Sequence, residues 1–240
     1  MGGHTRSSRM GGHTRAALLV LADGRFPAGG HAHSGGVEAA VKAGRVRDAG
    51  TLHAYCAGRL ATAGLTGAGL AAAACGGLDP VVLDEAADAR TPSAVLRGVS
   101  RRLGRQALRA ARAAWPHPEL EALAAAFPRG AHQPVVLGVA ARVAGLGPLD
   151  AAQVVAYEAV SGPATAAVRL LSLDPFDATA VLARLAPRVD EVAVRAAECA
   201  ERAREGGDGG GVDALPAASS VWLDIAAEQH AGWAVRLFAS

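Results

Sequence analysis

The sequence predicts an all-α, single-domain bundle of about ten or more helices with no sheet. Two observations carry this. Hydrophobic residues make up 51% of the 240 positions but aromatics only 4%, and much of the apolar content is alanine. Alanine is the best helix former, whereas the β-branched and aromatic residues that suit strands are comparatively few. The second observation is the proline that follows a capping residue at Asp79-Pro80, Thr91-Pro92 and Asp174-Pro175. Proline loses nothing at the first helical position, where its missing N–H has no partner, and the preceding side-chain oxygen accepts an orphan amide. The length suffices for one sizeable core.

In chain order, "MGGHTR" occurs at Met1 and again at Met10, so either methionine could be the start. Residues 1–15 read as a flexible arm before a helical domain at 16–240. "AALLVLA" at 16–22 is the first helix. It is short for a signal-peptide core, and Asp23 and Arg25 follow at once. A glycine-rich loop leads into a helix at 35–43. Further helices are expected at 48–62, 65–75, 80–89, 92–114, 118–126 and 134–144. Gly162-Pro163 should break or kink one long apolar element, read as 149–160 and 163–172, because proline removes a ladder hydrogen bond. Pro118, Pro148 and Pro187 also precede helix-like runs, and helices are expected at 175–185 and 188–205. "EGGDGGGVDALP" at 205–216 reads as a linker. Residues 217–240, with a helix at 217–234, are too few to fold alone. They must dock on this chain or on a partner.

Composition excludes several classes. A net charge of +2 gives no global attraction to nucleic acid. Cys56, Cys75 and Cys199 have neither finger nor disulfide-framework spacing, and a reducing cytoplasm is their simplest home. No apolar run reaches the ~20 residues that span a bilayer. On the helix at 92–114, Arg97, Arg101, Arg102, Arg105, Arg109 and Arg112 share an arc of about 140°. Leu96, Val99, Leu103, Ala107 and Ala110 lie opposite. Such a stripe is a solvated face or a surface for an acidic protein. Without stacking aromatics it does not suit nucleic acid.

The stretch "FPAGGHAHSGG" at 26–36 concentrates the residues that could carry chemistry. Gly30 and Gly35 have P-loop spacing, but Gly36 and Val37 stand where lysine and a hydroxyl are needed. "AHSGG" approximates a nucleophile elbow at Ser34, with His230 far downstream. A serine hydrolase is therefore the alternative reading, although the elbow needs a strand and a sheet. Otherwise Ser34 caps the next helix, and Gly35 and Gly36 permit a left-handed backbone. His31 and His33 could share a nickel, copper or zinc ion only in an extended loop, and two ligands are too few for a closed site. His230, near Asp224 and Glu228, reads as a salt-linked helical histidine.

Both ends resemble the UreF family of urease accessory proteins. The N-terminal signature is carried by Asp23, Phe26, Pro27, Gly29, Gly30, His33, Ser34, Gly35, Gly36 and Glu38. Arg90, Arg97, Ser100 and Gly104 are similar to a looser mid-chain pattern, and Arg169 falls in a segment similar to a family helix. "DIAAEQHAGWAVRLFAS" is similar to the closing pattern. His31 departs from the family, where an aromatic is common, as do Val95 and Leu96, where an acidic residue often stands. The resemblance runs from about residue 16 to the end. It implies an all-α homodimer without catalytic activity that helps to assemble the nickel centre of urease. It implies UreD (also called UreH), the GTPase UreG and apo-urease as partners, regulation of that GTPase, and nickel handled within the complex with no stably bound cofactor. With the arginine stripe added, the candidate partner-binding residues are Phe26, Pro27, Gly29, Gly30, His33, Ser34, Glu38, Arg97, Arg101, Arg105, Asp224, His230, Arg236, Phe238 and Ser240. His31 and His33 are candidates only for transient nickel contact.

Overall fold

A computed structural model describes residues 10–206 and 211–239. Among these it is all-α, with eleven helices and no strand. They are α1 (Met10–Ala22), α2 (Val37–Lys42), α3 (Ala49–Arg59), α4 (Leu65–Cys75), α5 (Pro80–Ala89), α6 (Ala94–Ala114), α7 (Pro118–Ala126), α8 (Gln133–Val143), α9 (Pro148–Leu171), α10 (Pro175–Glu205) and α11 (Val221–Ala231). The second copy of the hexapeptide, expected within a flexible arm, is helical in α1, and the first copy lies outside the described residues.

Every residue of α4 is buried, and α8, α9 and α10 pack around it. Its alanines and glycines allow backbones to approach closely. A Cβ on Gly138 of α8 would sit 2.3 Å from the Ala71 carbonyl oxygen. Helix α10 presents Ala178, Val181, Leu185, Val189, Ala193, Ala196, Ala200 and Ala203 to this core, a stripe of three- and four-residue steps.

Asp79 and Asp174 cap α5 and α10, accepting the Val81 and Phe176 amides at 2.9 Å. The expected Thr91-Pro92 start is corrected. Ser93 is the cap of α6, accepting from Leu96 N–H at 3.1 Å, while the Thr91 hydroxyl turns back to the Ala87 carbonyl at 2.9 Å.

The two helix divisions expected around Pro163 and Pro187 are also corrected, for different reasons. Pro163 lies inside an unbroken α9, and the Ala159 carbonyl that it leaves without a ladder partner accepts from Arg59 Nε at 3.1 Å. Pro187 lies inside α10, with both it and Ala183 exposed, so the freed carbonyl faces water. Helices α3 and α4, expected as separate pieces, run together through a π-turn at Leu60–Gly64.

The linker at 205–216 is folded over its described C-terminal half. Residues Gly211–Ala214 form a 3₁₀ turn, and Leu215 is buried. The Arg90 guanidinium gathers the carbonyls of Val212 at 2.7 Å and Pro216 at 3.1 Å.

Candidate functional site

The two terminal stretches, nearly two hundred residues apart, meet at Glu38. Gly35 and Gly36 take φ of 60° and 87°, turning the chain into α2. Ser34 Oγ accepts from Glu38 N–H at 3.4 Å. Glu38 Oε1 accepts from Leu237 N–H at 2.8 Å, and Oε2 from Phe238 N–H at 3.1 Å. His230 Nε2 lies 2.9 Å from Oε2. A carboxylate can only accept, so that nitrogen carries the proton. Burial pushes the Glu38 carboxyl up, but the two amides and His230 outweigh it and hold it below its ordinary value. Ala239 N–H reaches Ala32 O at 2.7 Å, and Phe238 is buried beneath the Arg169 guanidinium, 5.2 Å from its ring.

Helix α11 reaches the start of α6. Asp224 accepts Ser93 N–H at 3.3 Å, and Glu228 accepts the Ser93 hydroxyl at 2.6 Å and Val95 N–H at 3.1 Å. The segment at 217–239 therefore docks on its own chain. It leaves Val221, Ile225, Val235, Arg236 and Leu237 exposed. Ser240 lies outside the described residues.

In the preceding loop, Phe26 packs against Trp115 with ring centroids 6.2 Å apart, and Pro27 is exposed. Gly29 has φ of 83° and presses on the Gln106 side chain. Gly30 opens a single 3₁₀ turn. His31 is exposed in that turn, and His33 is half-buried in extended backbone after it. Burial, aided by the Arg102 charge, depresses the His33 pKa. Among the described residues no third ligand joins this pair in a group that could hold a metal. Ser34 is fully buried, and the histidine an elbow would use is committed to Glu38. With no strand among the described residues, nothing here supports the serine hydrolase reading.

The arginine stripe is largely spent within the fold. Arg97 donates to the Thr91 and Pro92 carbonyls at 2.7 and 2.9 Å, Arg105 to the Arg129 carbonyl, and Arg112 pairs with Glu121. Arg101 Nη2 lies 2.8 Å from Asp84 Oδ2 and 2.7 Å from Asp88 Oδ2. Arg102 and Arg109 stay exposed. The apolar side is as expected, with Val99, Leu103, Ala107 and Ala110 buried.

Beneath that stripe lies a network that sequence reasoning missed. His132 Nδ1 is 2.9 Å from Ser100 Oγ and Nε2 is 2.8 Å from Asp88 Oδ1, while His132 N–H donates to Asp84 Oδ1 at 2.7 Å. Ser, His and Asp are in line, but Ser100 Oγ also accepts Gln133 N–H at 3.2 Å, and Arg101 holds both carboxylates. Asp84, Asp88 and His132 have ligand atoms within 4.8 Å of one another. The guanidinium already stands as their cation, so the arrangement is a structural lock. The i, i+4 spacing of Asp84 and Asp88 was a visible signal, since it places two carboxylates on one helix face. Gly104 completes the lock: a Cβ there would fall 2.0 Å from the Ala131 carbonyl oxygen.

Between the 22–36 loop, α6, α9 and α11 runs a cleft of about 580 Å³. Glu158 of α9 lies in its wall, and desolvation pushes its carboxyl up to about 7. No sequence signal marked it.

A family model described as UreF matches residues 46–186. A urease accessory protein UreF from Mycobacterium sp. (strain JLS) is 44% identical over 228 residues, covering 95% of this chain and 99% of that protein. Another from Mycolicibacterium vanbaalenii is 44% identical over 229 residues, covering 94% and 98%. A third, from Mycobacterium tuberculosis (strain H37Rv), is 41% identical over 184 residues, covering 75% and 84%.

Proposed function

This chain belongs to the UreF family of urease accessory proteins, and we propose that it is a non-catalytic scaffold for nickel insertion into urease, bridging UreD and the GTPase UreG as a homodimer. The observation that carries this is the match over 95% of the chain to a relative that bears that name. The exposed Val221 and Ile225, on a helix held to its own chain by polar ties, suit a docking surface. Exposed apolar side chains at helical spacing are natural anchors for a partner helix or groove. Arg236 and Leu237 are also exposed, and Arg102 and Arg109 offer a smaller basic surface toward an acidic partner. Nickel is the cargo, and exposed His31 is a transient contact for it. Regulation of the GTPase belongs to the same proposal, as does a cytoplasmic location. No described helix is long and apolar enough to cross a membrane.

The test is urease activity in cells that lack the protein, with co-purification of tagged UreD and UreG. Wild type restores activity and recovers both partners. Val221→Asp with Ile225→Asp keeps the Glu38 contacts and is expected to lose UreD. Full urease activation without the protein would remove the proposal. Intact complex formation by the double variant would remove the α11 surface.

A further inference from the structure

The wall of the cleft is largely apolar, with Leu70, Leu96, Leu103, Val155 and Leu223. Glu158 enters this wall from α9. Among the described residues its hydrogen-bond partner is the neutral Gln133 amide, whose Nε2–H donates to Oε2 at 3.2 Å. The carboxylates of the two networks described above are matched differently. Asp84 and Asp88 share Arg101, and Glu38 has His230 with two amides. A desolvated carboxylate without a counter-charge is costly, and this one is pushed up to about 7 by burial alone.

The cleft's own cations are turned elsewhere. Arg59 donates to the Ala159 carbonyl, Arg90 to the 212–216 backbone, and Arg169 lies over Phe238. Of the carboxylates in its lining, Asp23 is paired with Arg25 and Asp224 accepts the Ser93 amide, so the cleft offers an apolar wall and, in Glu158, a carboxylate that only a neutral side chain meets. Its volume of about 580 Å³ lies in the range of sites that enclose a ligand of several side chains.

We propose that this cleft is a docking groove for a protein segment in which apolar residues flank one lysine or arginine, whose cation pairs with Glu158. The inference names what one groove of the scaffold takes, and so rests on the scaffold reading. The apolar wall supplies affinity by area removed from water, and the buried ion pair supplies selectivity, because an uncharged residue would leave Glu158 unmatched.

The probes are two capped synthetic hexapeptides of alanine and leucine, one with a central lysine and one with norleucine there. Both are titrated by calorimetry into the full chain. The lysine peptide is expected to bind about tenfold tighter at pH 8. That preference shrinks at pH 6, where the carboxyl is mostly protonated. Glu158→Gln removes it at both pH values, while Glu158→Asp, which keeps the charge, retains part of it. Circular dichroism checks that each variant folds. Equal affinity for the two peptides, binding of neither, or a lysine preference that survives Glu158→Gln would overturn the proposal. So would a wild-type dimer that excludes both peptides, which would make the groove an interface between copies. Each of these outcomes is separable from the scaffold role, which the urease activation assay reads without reference to this groove.

Discussion

Helices α4 and α11 are each eleven residues long, and they are held in opposite ways. All of α4 is buried, against neighbours so close that glycine is required where backbones cross. In α11 only Leu223, Ala226 and His230 are buried. Beyond these, Trp222 packs edge-on against Tyr55 at the margin of the core, and the other ties are polar: Asp224 and Glu228 on the start of α6, His230 on Glu38, and the Arg45 guanidinium 4.7 Å from the Trp222 ring. Water can replace such contacts at a net cost of about 1 kcal/mol each, whereas exposing a buried helix forfeits its whole apolar area. Helix α4 can leave only when the domain unfolds. Helix α11 can separate as a local unit at lower cost, as suits a segment that meets partners.

The largest expected effect asks whether polarity or depth makes a tie replaceable. Arg101→Leu strips the cation from the buried Asp84 and the partly exposed Asp88, and should cost about 3 kcal/mol in denaturant unfolding, chiefly through Asp84. A loss no larger than an α11 tie would break the comparison, since a deep polar contact would then behave like a peripheral one.

Gly138→Ala places a methyl against the Ala71 carbonyl and forces α4 and α8 apart, at about 2 kcal/mol. The midpoint of a single cooperative thermal transition should fall. Loss confined to α8, with α4 amides still protected from exchange, would contradict a common core.

Glu38→Gln tests the other helix, with a global loss of about 1 kcal/mol. Hydrogen exchange should quicken across 221–239 while α4 is unchanged. Because the folded Glu38 pKa is lowered, its contribution is present above the unfolded value of about 4.3 and is lost as pH falls through the folded value. The wild-type segment should loosen in acid, and the variant should lack that dependence.

Glu158→Gln should have the smallest effect and the opposite sign. Its pKa is raised, so the wild-type contribution is intact below about pH 4.3 and is lost as pH rises through about 7. The variant should match wild type at pH 4 and exceed it at pH 8 by on the order of 1 kcal/mol, less than the full shift would give because solvent reaches the partly exposed side chain. A variant less stable than wild type at pH 8 would mean that Glu158 is matched by a group beyond Gln133.

Helix content, most boundaries and the apolar side of α6 were legible because local spacing records them. That Arg97, Arg101 and Arg105, expected as a face for partners, also donate within the fold was not legible. Their acceptors are the Thr91, Pro92, Gly130 and Arg129 carbonyls and the Asp84 and Asp88 carboxylates, and no composition count reveals an acceptor. Pro163 failed as a breaker because Arg59, a hundred residues earlier, fills the bond that proline leaves open. The Gly-rich stretch failed as a simple linker because Arg90 reaches its carbonyls.

By itself the sequence determined the all-α class and the capped starts at Asp79 and Asp174, and its resemblance at both ends identified the family. These rest on propensity, short-range hydrogen bonds and motif, which neighbours along the chain suffice to specify. Only the tertiary structure decided that "FPAGGHAHSGG" and the C-terminal "RLFA" are one site joined through Glu38, that the stripe arginines are mostly occupied, and that Glu158 faces a cleft whose cations are turned elsewhere. A side chain's partner is set by which helices pack together, and that packing depends on the whole apolar pattern at once.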